Sequence, residues 1–107
     1  MILNGEGASE GIAIGKVKIV VSEEDVYQVK EEDIVVTNDN SPLFSLAFLK
    51  AAAIVSEKGG KLCHLAIVAR EMGKPCVLNV KNATKILKDG MIIKVDGKKG
   101  EIYIEND

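Results

Sequence analysis

The sequence predicts an α/β domain with a mixed sheet, helices and a second β layer. Three features lead there. Short β-branched runs such as DIVVT and AIVSE read as buried strands, residues 53–80 run strand, loop, helix, strand, and DGMIIKVDGKKGEIYI divides into two strands around a Gly/Lys-rich turn. With 107 residues the chain suits one domain spanning 1–107 and leaves little room for a second core.

GIAIGKVKIVV has alternating and β-branched apolar positions, so an early strand is expected over residues 14–21. EEDVYQVKEED is charged with only scattered apolar residues and reads as a surface connection to a second strand, residues 33–37. Asn38, Asp39, Asn40 and Ser41 before Pro42 stop that strand and cap the helix PLFSLAFLKAA. Its Phe44, Leu46, Phe48 and Leu49 are expected to pack the helix rather than face a partner, because a small domain uses nearly every apolar stripe it has. AIVSE, residues 53–57, forms a short buried strand, and GGK releases the chain into a helix over residues 64–72. Gly73 closes that helix and Pro75 discourages its continuation. CVLNV then forms a strand, ATKILK a short helix, and residues 89–104 the closing strand pair. Core candidates are Ala51 to Ala53, Ile54, Val55, Ile67, Val68 and Val77.

Composition narrows the function classes. Hydrophobic residues make up 47% and charged residues 28%, which argues against disorder, and no long uninterrupted apolar segment suggests a membrane span. The N-terminal MILNGEGASEG lacks the basic region and apolar core of a secretory signal, so a cytoplasmic location is expected. Two cysteines, Cys63 and Cys76, are too few for a disulfide framework, and no Cys/His pattern suggests a metal site. A formal net charge of -2 gives no overall basic field for nucleic acid. The charge is divided, however: residues 1–40 hold three bases and nine acids (-6), and residues 41–107 hold eleven bases and seven acids (+4).

The chain's single histidine lies in the second region, within GGKLCH, at the expected start of a helix. First-turn amides lack intrahelical acceptors and carry partial positive charge, so phosphate fits beside them. Gly59 and Gly60 would let the backbone approach an anion, while Lys61 or Lys58 would add attraction at the rim. Neutral imidazole carries a lone pair, and an unperturbed pKa of about 6.5 keeps that form available near neutrality, which makes His64 a candidate phosphoryl nucleophile. Arg70, six residues on, does not automatically face His64 and is assigned to anchoring or partner contact. A glycine pair before a helix is also often only a turn. Cys63 raises a cysteine-nucleophile alternative at the same helix start, although local packing is its simpler role.

The stretch SEKGGKLCHLAIVAREMGKPCV resembles the phosphohistidine signature of the phosphoenolpyruvate-utilising enzyme family, through Gly59, Gly60, His64, Ala66, Ile67, Ala69, Arg70, Glu71, Gly73 and Pro75 in one ordered run. GASEGIAIGKVKIV resembles the start of that family's mobile domain and DGMIIKVDGKKGEIYI its closing β region, so the resemblance spans nearly the whole chain. It implies a compact three-layer β/β/α swivelling domain. It also implies a phosphocarrier His64 in a phosphate-binding loop of Gly59, Gly60, Lys61 and Cys63, with no cofactor or metal of its own. Leu62 stands where many members have Thr.

The implied partners are separate nucleotide-binding and phosphoenolpyruvate or pyruvate-type phosphotransferase subunits, the former using ATP and magnesium. Neither module fits in 107 residues, so the expected role is a phosphotransferase component rather than a complete enzyme. The alternative is a non-catalytic regulatory or interaction domain that keeps the fold.

Overall fold

The computed structural model describes residues 1–60 and 62–105. In chain order the strands are β1 (Ile2–Asn4), β2 (Glu6–Ser9), β3 (Ile12–Val20), β4 (Ile34–Thr37), β5 (Ala53–Ser56), β6 (Cys76–Leu78), β7 (Ile92–Asp96) and β8 (Glu101–Ile104). The helices are α1 (Glu23–Val26), α2 (Ser45–Lys50), α3 (His64–Met72) and α4 (Ala83–Ile86), and a 3₁₀ turn at Pro42–Phe44 leads into α2.

The eight strands lie in the order β1-β8-β7-β3-β4-β5-β6-β2. β3 is the pivot. Its first half pairs antiparallel with β7, from Ile12 opposite Asp96 to Lys16 opposite Ile92, and its second half pairs parallel with β4, from Val17 opposite Ile34 to Val20 opposite Thr37. The parallel run continues through β5 and β6, and β2 closes that edge antiparallel to β6.

Each central strand is buried on both faces, and its alternation sorts side chains between two cores. Val35, Ile54, Cys76 and Leu78 point toward the helices and pack with Phe44, Phe48, Leu65 and Ala69. Ile34, Val36, Val55 and Val77 point the other way and pack with Ile93, Val95 and Ile102 of the antiparallel strands. Helices α1, α2 and α3 on one side of the parallel strands, and the β7–β8 region with α4 on the other, make the three-layer β/β/α arrangement. No helix among the described residues is long and apolar enough to cross a membrane.

Several expected boundaries shift. The segment read as a surface connection contains α1, whose start is fixed by a capping box: Asp25 accepts from the Ser22 backbone amide at 3.1 Å, and Ser22 Oγ lies 3.2 Å from the same carboxylate. Burial would push the Asp25 carboxyl up, but these bonds, one from Val21 N–H and nearby Lys18 together hold it below its usual value. The expected helix over 42–52 resolves into the 3₁₀ turn and α2, and Ala51 is already extended. Phe44 and Phe48 pack inward as expected, whereas Leu46 and Leu49 are 44% and 58% exposed, because a helix this short has only one face against the sheet. Ile67, expected in the core, is exposed on α3 for the same reason. β6 ends at Leu78, since Asn79 adopts a positive φ of 56°.

Candidate functional site

The C-terminal ends of β4 and β5 open into two loops that face α3. From β5, Ser56 leads to Gly59, whose φ of 102° favours glycine. A Cβ on Gly59 would lie 2.6 Å from Asn40 Nδ2 and 3.2 Å from Cys63 Sγ, so the absence of a side chain lets the two loops close on each other. The turn is pinned at its base: Glu57 N–H donates to Thr37 O at 3.0 Å, and the Glu57 carboxylate accepts from Thr84 N–H at 2.8 Å and Thr84 Oγ1 at 2.6 Å.

Cys63 is the extended N-cap of α3, with its amide bonded to Gly60 O at 3.0 Å and its carbonyl accepting from Ile67 N–H at 3.2 Å. The Cys63 side chain makes no capping bond here, which leaves first-turn amides without that partner. α3 buries Leu65, Ala66 and Ala69 against the sheet, and Gly73, at φ 67°, terminates it in the left-handed conformation. Arg70 Nε donates to Ala8 O at 2.8 Å, tying the last turn of α3 to β2. Lys74 Nζ donates to Phe48 O at 3.2 Å and also to Leu49 O, at the end of α2, and desolvation pulls its pKa below the usual lysine value.

His64 is therefore the first residue of α3, exposed, on the wall of a pocket of about 240 Å3 between α3 and the Asn40–Leu49 segment. Asn40, Ser41 and Ser45 supply polar groups to that wall, and Phe48, Leu65 and Val68 supply its apolar floor. Of the residues singled out from sequence, His64 lines this pocket, and Gly59, Gly60 and Cys63 form the loop that leads into it. Lys61 lies outside the described residues. Arg70 sits beyond the first turn, on the β2 side. Leu62, 89% exposed, projects immediately before the site. Among the described residues no group of three His, Cys, Asp or Glu side chains is placed to hold a metal ion.

The family model described as PEP-utilising enzyme, mobile domain, matches residues 29–100. The chain belongs to this family. It is 52% identical over 103 residues to a probable phosphoenolpyruvate synthase of Archaeoglobus fulgidus, covering 96% of this chain and 14% of that protein. It is 48% identical over 103 residues to the phosphoenolpyruvate synthase of Pyrococcus furiosus, covering 96% of this chain and 13% of that one. The mobile domain thus spans about one seventh of the length of these relatives. An NMR structure of Enzyme I superposes with a TM-score of 0.65 at 27% identity over 77% of this chain and 34% of that one. A UPF0107 protein superposes with a TM-score of 0.76 at 13% identity, covering 99% of this chain and all of that one, a likeness of fold alone.

The mobile domain's two thiols differ sharply. Cys76 is buried in β6, and burial with Cys63 nearby, partly offset by Arg70, pushes its thiol up to about 12. Cys63 is half-buried at the loop. In the native protein near pH 8, iodoacetamide is expected to label Cys63 and to leave Cys76 untouched until denaturant is added, because the thiolate is the reacting form. Equal labelling of both, read by peptide mass, would show that β6 opens in the native state.

The sequence reading missed Asn40 and Ser56 as parts of the site. Asn40 looked like one of four consecutive capping residues, and the cap of the 3₁₀ turn is in fact Ser41, which accepts from Leu43 N–H at 3.2 Å. Only the pairing of β4 with β5 brings Asn40 beside Ser56. A second, wider groove of about 570 Å3, near Gly15 and Gly90, brings Lys16, Lys18 and Lys30 together with Glu32, Asp33 and Asp89. Lys18 is already engaged there by Asp89 at 3.7 Å and Gln28 at 2.7 Å.

Proposed function

We propose that this mobile domain is a phosphocarrier in which His64 accepts a phosphoryl group from one partner domain and passes it to another. The observation that carries the reading is the placement of the chain's only histidine. Its ring is exposed at the first residue of a nine-residue helix whose N-cap side chain makes no capping bond, and it lines an open pocket. First-turn amides and the helix dipole favour an anion there, and exposure lets large partners reach the imidazole in turn.

The transfer runs in two displacements. A neutral ring nitrogen attacks the donor's terminal phosphorus, a P–N bond forms, and the P–O bond to the leaving group breaks with its electron pair going to that oxygen. In the second step an acceptor oxygen attacks the same phosphorus, and the P–N electrons return to the ring. The donor and acceptor belong to partners of the nucleotide-binding and the phosphoenolpyruvate or pyruvate type. A partner's bound magnesium and ATP supply charge neutralisation and the phosphoryl group on the nucleotide side.

The test is phosphorylation of the intact chain by extract from its source, with ATP or phosphoenolpyruvate, mapped by peptide mass under non-acidic conditions. One phosphoryl group on the peptide containing His64, lost on acid treatment, is expected. No phosphate from an extract shown to interconvert pyruvate and phosphoenolpyruvate would sink the carrier reading and favour a regulatory or interaction domain.

A further inference from the structure

Asn40 carries a donor that the fold orients and leaves without a protein acceptor. Its Oδ1 accepts from the Ser56 hydroxyl at 2.5 Å, and Ser56 Oγ accepts in turn from Lys58 N–H at 3.2 Å. Lys58 N–H takes one lone pair of that oxygen and the hydroxyl proton goes to Asn40, an arrangement in which the carboxamide oxygen faces β5 and the NH2 group faces away. Nδ2 lies beside the Gly59 turn, 2.6 Å from where a Cβ on residue 59 would stand, on the wall of the pocket that His64 also lines. Among the described residues Nδ2 has no protein acceptor and is open to solvent, while Asn40 as a whole is half-buried.

Resting on the reading of His64 as carrier, we infer that Asn40 is a further phosphoryl-binding residue, whose Nδ2 donates to an oxygen of the phosphoryl group on His64. Ser56 is the positioning residue that holds the amide in its donating orientation. A neutral donor suits a carrier. It stabilises the phosphoryl dianion by a charge-assisted hydrogen bond without a fixed opposite charge that would oppose release to the next acceptor. The arrangement also gives Gly59 a second purpose: any side chain at that position would displace the donor.

The test needs no partner. Phosphoramidate, a small chemical phosphoryl donor, is used to load His64 in the full chain, loading is checked by peptide mass, and the phosphoryl group is titrated by ³¹P NMR. A hydrogen bond to the dianion lowers its protonation pKa, so removing the donor raises it. Asn40→Ala is expected to raise that pKa by about one unit, the shift that corresponds to losing one hydrogen bond to a charged group. Asn40→Asp keeps an Oδ1 acceptor for Ser56 but adds a charge, which raises the titration whether or not Asn40 donates, so the comparison of Asn40→Ala with wild type and the Asn40 amide signal decide the matter.

Lys58, Arg70 and Glu71, on the same loop and helix, are common to all variants and displace every titration alike. The Asn40 side-chain amide protons of the wild type are expected to move downfield when His64 is loaded. An unmoved amide signal together with identical titrations of Asn40→Ala and wild type would overturn the inference, as would failure of the exposed imidazole to load at all. Because loading is chemical, a positive result here alongside failed loading from cell extract would separate the Asn40 contact from the identity of the partners.

Discussion

His64→Ala is expected to take up no phosphate from either ATP-driven or phosphoenolpyruvate-driven partners, while remaining as stable as the wild type to within about 0.5 kcal/mol. Both halves follow from where the residue sits. The ring is exposed on the pocket wall, so deleting it leaves no cavity in either core, and Ala is at least as good a helix former as His. Loss of function should be complete because the chain has no second histidine to take over. His64→Gln keeps a polar side chain of similar reach without the nucleophilic nitrogen, and the same null result is expected for it. Urea midpoints and phosphopeptide mapping on the same preparations read both quantities. Phosphate retained in His64→Ala, mapped to Cys63, would move the chemistry to the thiol at the N-cap. Phosphate retained elsewhere would reduce the histidine to a bystander.

The elements that were legible in the sequence are those whose pattern is local. IVVT and AIVS read as strands because each is short, β-branched and uninterrupted, and the structure buries them on both faces. α3 read correctly because its apolar stripe, Gly73 and Pro75 all lie within a dozen residues. β1 and β2 did not read at all. MILNGEGAS carries glycines and no sustained alternation, and its strand character comes only from pairing with β8 and β6, about 70 to 100 residues away. The short α1 was legible in principle, through Ser22 followed three residues later by Asp25, but high charge and few apolar positions outweighed that cue. At the site, His64 and its glycines stood out because they are contiguous. Asn40 and Ser56 did not, because their meeting depends on the parallel register in which Thr37 lies opposite Ser56. A sequence shows which residues could bind phosphate more readily than which strand ends converge on them.

The largest expected effect on the fold comes from a single methyl group at Gly97, in the turn between β7 and β8. This glycine has no unusual φ; its constraint is space. A Cβ there would overlap the carbonyl oxygen of Ser9, lie 3.0 Å from the Ser9 carbonyl carbon and stand 3.1 Å from the Cys76 amide nitrogen. All three atoms are backbone, in paired strands β2 and β6, so no side-chain rotation can relieve the clash. The approach is mutual, since a Cβ on Gly7 would meet Gly97 O and lie 2.8 Å from Lys98 O. The turn cannot simply lift away either: Gly97 N–H donates to Gly11 O at 2.8 Å, and Asp96 Oδ1 accepts from Lys98 and Lys99 N–H at 3.1 and 3.0 Å. Gly97→Ala should therefore cost about 3 kcal/mol or more, a large part of the stability of a domain this size. Gly60→Ala is the stability control, because nothing lies within 4 Å of its Cβ and its φ is ordinary, and it should fall within about 0.5 kcal/mol of wild type. The damage at Gly97 should also reach the other side of the sheet. β2 is the strand whose Ala8 carbonyl holds Arg70, and through Arg70 the helix that presents His64. Where Gly97→Ala still folds at low temperature, α3 amides should exchange faster than in the wild type. An unchanged urea midpoint would mean that β2 and the β7–β8 turn separate without cost, and the crossing would then carry none of the stability assigned to it.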